Sequence, residues 1–73
     1  MEYVIVTFPI NRLVYIDKEK NGGTNQVLLV DTGTHVFDLG PVADYLPASQ
    51  QVTVKDTTSL MPLTVEFHLK AAP

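Results

Sequence analysis

Thr32-Gly33-Thr34-His35-Val36-Phe37-Asp38-Leu39-Gly40-Pro41, running on to Asp44-Tyr45-Leu46-Pro47, is the stretch against which the rest of the chain is read. It reads as a tight turn, a core strand and a second turn that carries an aromatic. Gly33 gives the first turn its conformational freedom. His35, Phe37 and Leu39 alternate with Val36 and Asp38, so the first three share one face of a strand. Gly40-Pro41 ends that strand. Residues 42–47 form a short irregular link or a single helical turn, with Tyr45 as its anchor.

Further short strands lie on either side. Tyr3-Val4-Ile5-Val6-Thr7-Phe8 is β-branched and aromatic, and Pro9 stops it. Val4, Val6 and Phe8 fall on one face, with Tyr3, Ile5 and Thr7 on the other. Pro9-Ile10-Asn11 is a turn in which proline fixes φ and asparagine tolerates the left-handed region. Leu13-Val14-Tyr15-Ile16-Asp17 follows as a strand, Val14 and Ile16 inward and Tyr15 outward or at the rim. Residues 18–23 read as a polar loop whose Asn-Gly-Gly supplies positive φ. Residues 26–31 are a third strand whose continuous apolar run leaves its facing open. After the core strand, residues 51–55 alternate cleanly and Asp56-Thr57-Thr58-Ser59 turns the chain. In residues 63–70, Leu63, Val65, Phe67 and Leu69 point in, and Thr64, Glu66, His68 and Lys70 point out. Short strands at close spacing with turn signals between them predict an all-β sandwich of six or seven short, mainly antiparallel strands.

With 73 residues the chain is one domain, spanning residues 1–70, and Ala71-Ala72-Pro73 reads as a linker or tail. A domain of this size buries only about 60% of the surface its unfolded chain exposes. Its core is therefore thin, with little room for a deep cavity. The net charge is -3, and the five Lys and Arg residues are scattered. That pattern argues against nucleic acid and against an anionic membrane surface. Cysteine is absent, which removes disulfides and thiol chemistry. No apolar run approaches the ~20 residues of a membrane helix. Met1-Glu2-Tyr3 lacks the basic start of a signal peptide, whereas the small, proline-bearing end suggests one module of a longer chain. The expected compartment is extracytoplasmic for such a module of an exported chain, and cytoplasmic for a protein that stands alone.

With the strands placed, the order of turns resembles a PEGA domain. That family carries a Pro-Glu-Gly-Ala turn, a Val-Tyr-Ile-Asp-Gly strand, a Gly-x-Thr-Pro element, a Gly-x-His turn and a Gly-Tyr. Here Pro9-Ile10-Asn11-Arg12 sits at the first, keeping the proline, with Asn11 standing in for glycine conformationally. Val14-Tyr15-Ile16-Asp17 matches the second, with Lys18 in place of the glycine. Gly23-Thr24-Asn25 resembles the third with a residue lost and the proline replaced. Gly33-Thr34-His35 matches the fourth, and Asp44-Tyr45 resembles the last without its glycine. The resemblance runs from Phe8 to about Val54, and a broader transthyretin-like sandwich reads similarly. It implies a non-catalytic accessory, interaction or spacer module of a bacterial or archaeal envelope-associated protein, whose partners are proteins or neighbouring domains. It implies structural turn roles for Pro9, Asn11, Gly33, His35 and Tyr45.

The sharpest enzymatic signal is Leu28-Leu29-Val30-Asp31-Thr32-Gly33. It resembles the turn of retroviral-type aspartic proteases, where two facing aspartates share a proton. Such a protease also needs a glycine-rich flap and a later Gly-bearing segment. All four glycines here end at Gly40, so neither can be supplied. A bland turn is the better reading of Asp31. His35 entering a core strand is expected to tie a loop carbonyl with its ring nitrogens, since no second histidine lies at ligand spacing. His68 reads as solvated. Asp17, Asp31, Asp38, Asp44 and Asp56 follow no EF-hand spacing and mark strand ends. Tyr3 and Tyr15 suit either a sugar-stacking platform or a sheet rim. Residues 3–8, if an edge strand, would offer neighbouring chains a pairing surface centred on Ile5. The expected candidate surface is therefore Tyr3, Ile5 and Tyr15, with no cofactor, metal or catalytic set.

Overall fold

The computed structural model describes residues 1–70, so the linker expected at residues 71–73 lies outside the described residues. In chain order the strands are β1 (Glu2–Thr7), β2 (Leu13–Ile16), β3 (Glu19–Gly23), β4 (Val27–Val30), β5 (Gly33–Asp38), β6 (Tyr45–Leu46), β7 (Gln50–Val54), β8 (Leu63–Glu66) and β9 (His68–Leu69). The fold is all-β. Seven strands have four or more residues, as expected, and β6 and β9 are two-residue additions.

A three-stranded sheet, β4-β1-β8, faces a four-stranded sheet, β3-β2-β5-β7. The pair β6-β9 closes one end. Val4, Val6, Leu28, Val30 and Val65 of the first sheet meet Val14, Ile16, Phe37 and Val54 of the second in one buried core. Each of these residues alternates with a more exposed neighbour, the period-two arrangement a half-buried strand requires. At the closed end, Tyr45 stands edge-on to Phe8 and Phe67, with ring centroids 6.4 and 5.6 Å away. Its hydroxyl donates to the Gly40 carbonyl at 2.8 Å, so Tyr45 is an anchor, though of a short strand and not of a helical turn.

Four expectations change. The first strand is no edge: β1 is central, antiparallel to β4 and parallel to β8. Ile5 therefore offers no free backbone, and strand addition there is excluded. The polar loop at residues 18–23 is largely β3, because the turn falls earlier. Asp17 and Lys18 take φ of 53° and 71°, both positive as in a type I′ hairpin, and Ile16 pairs with Glu19. Asn11 takes no left-handed conformation; the asparagine that does is Asn25, at φ 63°. The last strand breaks at Phe67, whose N–H donates to the Thr7 carbonyl at 3.0 Å. The chain then crosses to β6, and Leu69 is turned out, 47% exposed, instead of in.

Candidate functional site

The β2–β3 turn places Asp17 beside the start of β5. Its Oδ2 lies 2.6 Å from His35 Nδ1, and its Oδ1 accepts the Val36 N–H at 2.9 Å. The other ring nitrogen, Nε2, is 2.6 Å from the Asp31 carbonyl. A carbonyl only accepts, so Nε2 donates; the carboxylate accepts from Nδ1, and the ring is held as an imidazolium. The hydrogen bond to Asp17, and then that to the Asp31 carbonyl, raise the His35 pKa above its ordinary 6.5. The His35 contact and then the Val36 N–H hold the Asp17 carboxyl below its usual 3.8. His35 thus ties a loop carbonyl as expected. The carboxylate on its far side was not foreseen, because nothing local in the sequence joins residues 17 and 35.

Beside this cluster lies a shallow depression of about 250 Å³ whose rim includes Glu19, Asn21 and Asp31. Asp31 reaches the cluster only through its main-chain carbonyl. Among the described residues no three His, Cys, Asp or Glu side chains converge to hold a metal. The other aspartates lie at separate strand ends and turns, and two of them are engaged. Asp38 Oδ1 accepts the Gly40 N–H at 2.9 Å, Asp44 pairs with Arg12, and Asp56 takes a positive φ of 58° in its turn.

Tyr3 and Tyr15 do not share a platform. Tyr3 precedes the buried Val4 on one sheet and Tyr15 lies between the buried Val14 and Ile16 on the other, so they stand on opposite outer faces. Tyr15 is half-buried, and its ring covers Gly40 so closely that a Cβ there would sit 2.6 Å from Cε1. Tyr3 and Ile5 instead share the outer face of β4-β1-β8 with Leu29 and Val27, their register partners, which are 50% and 47% exposed. That four-residue apolar face was only half visible in the sequence, because the facing of residues 26–31 was open.

Three polar staples were also missed. Arg12 makes a two-pronged ion pair with Asp44 and stands 5.6 Å over the Phe8 ring. Thr24, buried, accepts the Arg12 N–H and donates to the Ile10 carbonyl, fixing the turn after β1. Glu2 accepts from the Thr32 hydroxyl and from the Thr57 hydroxyl and N–H, which lowers its pKa to about 2. Compared with known proteins, the chain matches no family model, no curated protein and no solved structure.

Proposed function

We propose that the chain is a non-catalytic spacer and interaction module, similar to PEGA domains, in a bacterial or archaeal envelope-associated protein. The observation that carries this reading is the direction of its first and last main strands. β1 and β8 run parallel, so the chain enters at one pole and leaves at the other. From Met1 to Phe67, where the chain leaves the sheet, the offset along the strands is roughly 23 Å at about 3.3 Å per residue. A module threaded in this way separates whatever precedes it from whatever follows.

Two features support the resemblance. Lys18, at the family's glycine, takes φ 71°, a conformation glycine adopts without strain. Gly33, at the Gly-x-His turn, takes φ 136° and delivers His35 to its two partners. Several of the side chains with acid–base chemistry fasten turns: Asp17 and His35 are bonded to each other, Asp44 to Arg12, and Glu2 to Thr57. The interaction half of the reading rests on the outer face formed by Tyr3, Ile5, Val27 and Leu29.

The test has three arms. Dyes at the two ends should report one fixed, long separation that survives until global unfolding; a broad or short distance distribution would end the spacer reading. Glycan binding lost in Tyr15→Ala would replace it with a carbohydrate-binding module. Peptide cleavage in acidic buffer, lost in Asp31→Asn, would replace it with a hydrolase.

A further inference from the structure

Tension applied to the two ends of this chain meets an unusual arrangement. The force on Met1 draws β1 back along its own axis. The force beyond Lys70 draws β8 forward along the same axis, because the two strands are parallel neighbours. The strands must therefore slide past each other. Their pairing runs from Val4↔Leu63 to Thr7↔Glu66 and is prolonged by the Phe67 N–H to the Thr7 carbonyl. In a parallel pair the hydrogen bonds are slanted but evenly spaced along the strands, so sliding loads the whole ladder at once. Peeling from one end would break them one after another.

Both strands are also braced. β1 is held on its other side by β4, and beyond β4 the Asn25 N–H donates to the Val6 carbonyl at 2.7 Å. At the entry pole the Glu2 carboxylate grips Thr57 and Thr32, and the Tyr3 N–H donates to the Thr57 hydroxyl at 2.7 Å. At the exit pole the Lys70 N–H donates to the Asp44 carbonyl at 2.8 Å, and Asp44 is itself fastened to Arg12. Val4, Val6, Val65 and Phe67, the side chains that would be dragged through the core, are almost fully buried.

We propose that the β1–β8 pair is a shear clamp, and that the domain bears tension between the segments attached to its two ends. The role under tension rests on the spacer reading; the clamp itself does not. Resistance to force is set by the unfolding rate along the pulled direction, not by equilibrium stability. The same folded molecule should therefore be strong in one direction and weak in another.

Single-molecule force spectroscopy tests this directly. The chain has no cysteine, so an engineered one is a unique handle. One arm pulls the native chain through its two ends. The other pulls between the N-terminus and a cysteine at position 60, where Leu60 is 90% exposed in the loop before β8. Those two points lie at the same pole, so the second arm unzips β1 from β8. The expected result is a peak force severalfold higher in the end-to-end arm, although Leu60→Cys unfolds in urea at the same midpoint as the native chain. Equal forces, or a weaker end-to-end arm, would overturn the clamp. A strong clamp in a protein whose end-to-end dye distance is not fixed would keep the clamp and remove the spacer role.

Discussion

The Asp17 carboxylate and the His35 imidazolium lock the β2–β3 turn onto the first residues of β5, with 2.6 Å between Oδ2 and Nδ1. The contact joins the β2–β3 hairpin to β5 at the point where β4 hands the chain over to β5. It also makes stability depend on pH.

The sign follows from the two shifts. His35 titrates higher folded than unfolded, so its contribution is complete below the unfolded value near 6.5 and is lost as pH rises through the folded value. Asp17 titrates lower folded than unfolded, so its contribution is present above 3.8 and is lost as pH falls through the folded value. Melting temperature measured against pH should be highest between about 4 and about 6.5 and decline on the alkaline side. In His35→Ala the alkaline decline should vanish. Its melting temperature at pH 5 should drop by about 4–8 °C, the effect of losing about 1 kcal/mol in a domain of this size.

Lys18→Gly should stabilise the domain. Lys18 holds a left-handed conformation that costs a side-chain-bearing residue about 1 kcal/mol and glycine nothing. Urea unfolding should show a higher midpoint at unchanged slope.

Gly40→Ala should do the reverse. Gly40 takes φ 91°, and an added Cβ would meet the Tyr15 ring at 2.6 Å while straining the carbonyl that the Tyr45 hydroxyl grips. The expected loss is about 1–3 kcal/mol by urea unfolding. Tyr15→Ala in the same background should recover part of it, because the ring is what the new methyl strikes.

Phe37→Ala empties a site between the two sheets and Phe67→Ala one at the closed end, and both rings are almost fully buried. Each should cost about 3–5 kcal/mol, which is most of the stability of a small domain. Circular dichroism should show loss of cooperative unfolding at 37 °C. Leu69→Ala, on an outward-facing residue of β9, should change the midpoint little.

The strands that alternate were legible: Val14 and Ile16, Phe37, Val54, Val65 and Phe67 are all buried where period two places them. His35 as a tie to a loop carbonyl was legible from its place after a glycine turn. Three things were not. β3 carries almost no apolar residue, and it is a strand because β2 folds back on it at Asp17-Lys18. The central place of β1 depends on parallel pairing with a strand near the other end of the chain, for which no local pattern exists. Leu69 has the period of an inward residue, yet the chain leaves the sheet at Phe67, and the alternation no longer refers to the same core.

Both the core and the clamp require β1 to lie between β4 and β8. Nuclear Overhauser contacts from the β1 backbone test that placement directly. Contacts are expected from Ile5 to Val27 on one side and from Val6 to Val65 on the other, with the β1 amides among the slowest to exchange. Contacts on one side only, with fast exchange along β1, would contradict it.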